Sequence, residues 1–355
     1  MAFATANRIT QAYAADNQGL TVYGCYRDKG YRVNPLSIQA GGTVLPEDVT
    51  PSDAFAQAGM LWHLDSRPVT VDGEPVPGYQ ALRRSDNRQT LAIHKDSYHP
   101  VQNGALMDIF CFLRDSVTIT NILQINGGRK IYITADINVT GEVIPGDFMK
   151  RQLHIANGHD GTCSLKAYFT DERFWCANQT NYFLGRIFKN ADSEGRASSH
   201  RHTAAIDQFV QQLPQMIDLQ KQDFSRQVEK LRSLACTRAT PETVRRVLEA
   251  CFADKLAEPI RDKVTKEKRQ RLLSDLKEID TIRSHYTGRT GIGMDVDGTR
   301  GSLYGVYNAI TQFHTHDAGR QKDLGARARA RLEGLHGGVL AERNARALEA
   351  CLALV

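Results

Sequence analysis

The chain has 355 residues, 24% charged and 41% hydrophobic, enough to bury a core and outside the range of collagen, coiled coil or wholesale disorder. Its 45 Lys and Arg against 40 Asp and Glu leave +5, a total too small to name a partner, so the placing of the charges matters more than their sum. No stretch reaches the roughly 18 apolar residues of a membrane span, and the first residues lack the order of a secretory signal, which predicts a cytoplasmic protein without a membrane partner.

In chain order, the first 80 or so residues are rich in Gly, Pro and acidic turns such as Asp72-Gly73-Glu74-Pro75, which predicts an irregular region with one short strand near Trp62 and Leu64. From 90 onward apolar and polar residues alternate at the two-residue period of a half-buried strand. Leu91 and Ile93 mark one strand, Tyr98-His99-Pro100 breaks it, and an apolar run over 101–113 predicts a helix. Segments 119–125 and 129–137 flank Asn126-Gly127-Gly128, a strong hairpin signal because both turn positions favour positive φ. A second hairpin is predicted for 150–156 and 163–169 around the loop 157–161. After residue 181 the pattern turns helical. One long amphipathic helix carries Ile206, Val210, Leu213, Ile217, Phe224, Val228 and Leu231, with a kink expected at Pro214. Thr240 before Pro241 starts a helix over 242–252, further helices are predicted over 255–282, 303–313 and 339–354, and the glycines from Gly288 to Gly301 exclude regular structure between them. The expected fold is α+β, an antiparallel sheet core with a packed helix followed by a mainly helical C-terminal half. Its expected divisions are 1–80, 81–190 and 200–355.

Strand alternation assigns faces. With Ile131 and Ile133 inward, Lys130, Tyr132 and Thr134 share the other face; Lys166 and Tyr168 stand opposite Leu165 and Phe169, and Lys150, Gln152 and His154 opposite Leu153 and Ile155. Together these sets would make an open face of ammonium groups and rings, suited to single strands because cations neutralise phosphates and rings stack on unpaired bases. Lys and Tyr are equally common on solvated or helix-covered strand faces. Arg83, Arg84 and Arg88 form a further basic cluster, and the connection bearing Arg196 and Arg201 has no acid after Glu194, which makes those two candidate phosphate contacts.

His200-Arg201-His202 and His314-Thr315-His316 each have the H-x-H spacing that, on a strand, offers two imidazoles to one Zn²⁺ or Mn²⁺. Neither lies in a clear strand, so no metal or other cofactor is assigned; capping or hydrogen-bonding histidines near helix ends are the simpler account. The seven cysteines contain no C-x-x-C, and no Walker-type loop or Gly-x-Ser-x-Gly elbow occurs.

The segments Ser97-Tyr98-His99-Pro100-Val101-Gln102-Asn103, Gly127-Gly128-Arg129-Lys130, Asn157-Gly158-His159-Asp160-Gly161-Thr162, Cys176-Ala177-Asn178, Arg201-His202-Thr203 and Tyr304-Gly305-Val306-Tyr307-Asn308-Ala309, ending at His316, together resemble a phage- and plasmid-encoded family of unknown function with a strand-rich core. The resemblance covers about 80–317 and implies a mobile-element setting. A more distant analogy links the sheet and its crossing helix to phage single-strand annealing proteins. The reading from sequence is therefore a non-catalytic, homo-oligomeric protein binding single-stranded DNA, and annealing it in recombination or replication, through Lys130, Tyr132, Lys150, Lys166, Tyr168, Arg196 and Arg201. Two alternatives stay open: a metal-dependent phosphodiester hydrolase using His200, His202, His314 and His316, and a phage factor that binds a host protein.

Overall fold

A computed structural model describes residues 41–46, 48–162, 164–173, 206–256, 273, 276–288, 290–294, 296–335 and 338–355, with the backbone alone at Val44, at 206–210 and in four short strands at 23–26, 31–33, 179–180 and 197–200. The elements in order are strands β1 (Tyr23–Tyr26), β2 (Tyr31–Val33) and β3 (Thr43–Val44), helix α1 (Pro51–Gln57), and strands β4 (Leu64–Val71), β5 (Glu74–Arg84) and β6 (Thr90–Lys95). Helix α2 (Asn103–Leu113) leads into β7 (Thr118–Ile125), β8 (Lys130–Ile144), β9 (Asp147–Gly158) and β10 (Leu165–Arg173), followed by β11 (Gln179–Thr180) and β12 (Ala197–His200). The C-terminal half holds α3 (Ile206–Cys236), α4 (Pro241–Cys251), α5 (Ala253–Leu256), α6 (Lys277–Tyr286), α7 (Leu303–Gln312), a π-helical turn (Phe313–Asp317), α8 (Leu324–Leu335) and α9 (Val339–Leu352). The architecture is α+β, as expected. Among the described residues no helix is long and apolar enough to cross a membrane.

The main sheet is antiparallel, in the order β11-β10-β9-β8-β7-β3, with β12 also on β10. Asn126 and Gly127 take φ of 53° and 70°, the mirror-image turn that joins β7 to β8 without splaying them. Both predicted hairpins form, with longer strands than expected. The inward face of β8 to β10 (Ile131, Ile133, Ala135, Ile137, Leu153, Ile155, Leu165, Ala167, Phe169) packs on Leu106, Ile109 and Phe110 of α2 and on Leu213, Met216 and Ile217 of α3.

Helix α3 has 31 residues, about 46 Å at 1.5 Å per residue, because it serves two cores. Its second half (Phe224, Val228, Leu231, Leu234) lies in a separate cluster with α4, α6, α7 and α9. Thr240 caps α4 in a reciprocal capping box with Thr243, and Pro241 follows in the first turn, as its sequence signature predicts.

The N-terminal expectation needs correction. Residues 64–95 form a regular three-stranded antiparallel sheet, β4-β5-β6. The Asp72-Gly73 pair is its hairpin turn, with φ of 53° and 90°, so the turn residues punctuate strands there instead of replacing them. Helix α8 was also not anticipated: its apolar stripe is only Ala328, Leu332 and Leu335, set in the repeating Ala-Arg of 326–331.

Candidate nucleic-acid interface

Three of the separated sequence segments meet where the small sheet joins the large one. Gln102 holds both backbone groups of Leu64, accepting from its N–H at 2.8 Å and donating to its carbonyl at 3.1 Å. Asn103 donates to Trp62 O at 3.0 Å, and its Oδ1 lies 3.3 Å from His159 Nε2. Asn157 donates to Val101 O, Tyr98 donates to Gly158 O, and His159 N–H donates to Arg129 O. The His94 ring stacks on Tyr98 at 3.9 Å between centroids. Arg84 lies over the Trp62 ring at 4.3 Å and donates to Gly127 O. Gly128 sits so close to Trp62 that a Cβ would stand 2.6 Å from its ring, and its φ of 92° also suits only glycine. These contacts fix how the small sheet is carried on the large one.

The outward face of the large sheet has the side chains that strand alternation assigns to it, but it is not open. In register, Thr134, His154 and Tyr168 stand abreast, as do Asp136, Gln152 and Thr170. His154 stacks on Tyr168 at 5.1 Å, its Nδ1 lies 3.1 Å from Thr134 Oγ1, and its Nε2 lies 2.7 Å from Thr170 Oγ1. Lys150 and Tyr168 are buried, at 6% and 1% exposure. The Lys150 ammonium is 3.0 Å from Asp136 and 3.5 Å from Glu172, whose pKa burial pushes up against the opposing pull of that ammonium. Lys130 is ion-paired to Glu333 of α8 at 3.0 Å, and half-buried Tyr132 packs under the same helix beside Leu332 and Leu335. Of the expected open groove, Lys130, Tyr132, Lys150 and Tyr168 thus lie in a covered polar layer, and Lys166 is half-buried. Arg196 and Arg201 lie outside the described residues.

An open cationic sheet face exists elsewhere. On β4 to β6 the inward set is Leu64, Leu82 and Leu91, which join the main core. The outward set pairs Asp65 with Arg83, Arg67 with Ala81 and Ile93, and Tyr79 with Lys95. Tyr79 is 46% and Ile93 58% exposed. Arg67 reaches toward Asp65 at 3.7 Å, and Asp65 is also 3.1 Å from His63. Among the described residues Arg83 and Lys95 have no acidic partner. Three cations against one carboxylate therefore surround an exposed ring and an exposed aliphatic side chain. Pro68 lies within edge strand β4, where it withholds a backbone donor and discourages pairing with another strand.

The model of a domain of unknown function, DUF932, matches residues 90–335. The chain belongs to the DUF932 family. No curated protein and no solved structure matches it. The DUF932 stretch begins at β6 and ends with α8, so it contains the large sheet apart from its edge strand β3, the Tyr98-to-Asn103 segment and α7, while β3, β4, β5 and the ring of Trp62 precede it. The cationic face straddles this limit: Ile93 and Lys95 fall inside the DUF932 stretch, and Arg67, Tyr79 and Arg83 outside.

Of the predicted histidines, His200 contributes its backbone to β12 opposite Leu165, its side chain is not among the described ones, and His202 lies outside the described residues. His314, in the DUF932 π turn, is fully buried, with Nδ1 2.6 Å from Asn344 Oδ1 and its ring edge-on to Phe252. His316 is half-buried on the same turn. No group of three His, Cys, Asp or Glu among the described residues is placed to hold a metal ion. The sequence reading passed over Arg67, Tyr79, Ile93 and Lys95. Recognising Asp72-Gly73 as a hairpin turn would have found them, since the alternation Tyr79, Ala81, Arg83 against Gln80, Leu82, Arg84 then assigns the face.

His314 makes stability depend on pH. Burial pushes its pKa from 6.5 down to about 4, against the raising effect of the Asn344 hydrogen bond. Between these values the unfolded chain binds a proton that the folded chain does not. Stability is therefore full above the ordinary value and falls as pH drops through the window, by about 3 kcal/mol in all at 1.36 kcal/mol per unit. Urea unfolding from pH 7 to 4 should show this loss, and His314→Gln should flatten that part of the profile.

Proposed function

We propose that this protein binds single-stranded DNA, and that the outward face of β4 to β6 carries the binding. The observation that supports this is the set of exposed Arg67 and Lys95 and half-buried Arg83 around the exposed Tyr79 and Ile93, with one carboxylate among them. Guanidinium and ammonium groups neutralise phosphates with release of counterions, and an exposed ring stacks on an unpaired base of any identity. The edge proline disfavours extension by another strand and leaves the face as the usable surface. The resemblance to phage- and plasmid-encoded proteins adds the setting, replication or recombination of a mobile element, with annealing by a homo-oligomer as the activity that such binding would serve.

The test is a titration of a fluorescent oligonucleotide at several salt concentrations. Wild type should bind with an affinity that falls steeply with salt. Arg67→Gln/Arg83→Gln/Lys95→Gln should lower affinity at every sequence and reduce the log–log salt slope by about 2, at about 0.7 per single-strand phosphate contact. Tyr79→Ala should lose about 1–3 kcal/mol with little change in slope. Lys130→Gln/Lys166→Gln, on the covered face, should bind as wild type. Salt-insensitive wild-type binding, or a triple variant that binds like wild type, refutes the reading.

A further inference from the structure

The glycine-rich chain between α6 and α7 holds a hydroxyl, an imidazole and a carboxylate in one line. Thr290 Oγ1 lies 2.6 Å from His285 Nδ1, and His285 Nε2 lies 2.8 Å from Asp317 Oδ2. The His285 side chain is 5% exposed, whereas Thr290 is exposed and the Asp317 side chain is 38% exposed. Asp317 ends the π turn, a wide helical turn that is rare and frequent at functional sites.

Two independent contacts determine which imidazole nitrogen carries the proton. Asp317 can only accept, so Nε2 bears the hydrogen. Gln312 Oε1 accepts from Ile292 N–H at 2.9 Å, which orients the amide so that its Nε2 donates to Thr290 O at 2.9 Å and lies 3.2 Å from His285 Nδ1. A donor facing Nδ1 requires that nitrogen to be bare. The single lone pair of Nδ1 faces the Thr290 hydroxyl at 2.6 Å and is shared with the Gln312 amide at 3.2 Å, which is the tautomer of a general base held by a carboxylate; Thr290 Oγ1 also lies 3.2 Å from Ser284 Oγ, a second acceptor for its proton.

The loop is also held in place. A Cβ on Gly291 would stand 2.0 Å from His285 O, and one on Gly293 2.8 Å from the Arg173 guanidinium, so the chain lies directly against its supports. The Gly291 N–H, next after the hydroxyl residue, meets no acceptor among the described residues. The amide following a nucleophile is where acyl-transfer sites take one of their oxyanion donors.

We propose that Thr290 is a nucleophile for acyl transfer from an ester, with His285 as its general base and Asp317 as the positioning residue. In the step, Thr290 Oγ bonds to the acyl carbon, its proton passes to His285 Nδ1, and the ester C–O bond breaks. The leaving alkoxide takes that proton, and water later releases the acid by the same route. This rests on residues remote in sequence from the β4-to-β6 face and is independent of DNA binding.

Full-length protein should be incubated with p-nitrophenyl acetate, following nitrophenolate release and mapping the acetyl group by peptide mass spectrometry. Wild type should carry acetyl on Thr290. Thr290→Ala and His285→Gln should lower the rate by roughly 10²–10⁴-fold, the usual contribution of a positioned base. Thr290→Ser should retain it, and Asp317→Asn should lower the rate while circular dichroism stays native. The proposal is overturned if Thr290→Ala is acetylated at the wild-type rate, if acetyl is found only on other residues, or if Thr290→Ser, which keeps the hydrogen bond, stays unmodified.

Discussion

Asp147→Ala should cost about 3–5 kcal/mol, the usual price of leaving a buried cation without its counterion. Asp147 and Arg173 are both 0% exposed, and they are joined at Nε to Oδ1 by 2.6 Å and at Nη2 to Oδ2 by 2.5 Å. The Tyr304 hydroxyl donates to the same carboxylate at 2.9 Å, and the proximity of that negative charge adds to burial in raising the phenol's pKa well above its ordinary value. Arg173 also donates to Ile292 O and Gly293 O. One ion pair thus ties the end of the sheet to α7 and to the glycine loop. Asp147→Asn should cost less than Asp147→Ala, because it keeps the shape and one acceptor while losing the charge. The double variant Asp147→Leu/Arg173→Met should recover part of the loss, since an apolar pair needs no desolvation of charge but leaves the Tyr304 hydroxyl without this acceptor. Urea unfolding followed by circular dichroism gives each value, and a single variant as stable as wild type would show that the pair is not what holds the two parts together.

Gly291→Ala should be the most damaging single methyl addition in the C-terminal half. Its Cβ would meet His285 O at 2.0 Å and Met294 Cγ at 2.5 Å, and the first of these is backbone at the end of α6, which cannot rotate away. Relief requires the loop to move, at a cost of about 1–3 kcal/mol or more, and the movement carries Thr290 away from His285. The expected result is a lower unfolding midpoint together with lost acetylation by p-nitrophenyl acetate. Gly104→Ala is the control. It lies in the first turn of α2 with nothing within 4 Å of the added methyl, so it should gain about 0.4–1 kcal/mol through the entropy of the unfolded chain. Equal effects at the two positions would mean that the close approach at Gly291 is not fixed.

Local chemistry made much of the fold legible. Period-two alternation assigned Ile131, Ile133, Leu153, Ile155, Leu165 and Phe169 to one face and Lys130, Tyr132, Lys166 and Tyr168 to the other, and the register agrees residue by residue. Asn126-Gly127 and Thr240-Pro241 specified a turn and a helix start through their own backbone and side-chain preferences. Such signals act over a few residues, so they survive in a single sequence.

The same logic could not tell whether a face is open. A strand's alternation gives its two sides but not what lies on them, and the outward side of β8 is covered by α8, some 200 positions later in the chain, through the Lys130–Glu333 pair and Leu332. The alignment of Thr290, His285 and Asp317 likewise depends on a loop, a helix end and a π turn that only packing brings together. By itself the sequence determined which side chains share a face and where the chain turns. Tertiary structure alone decided that the cationic face of the large sheet is covered while that of β4 to β6 is open, because exposure depends on long-range contacts that no local pattern encodes.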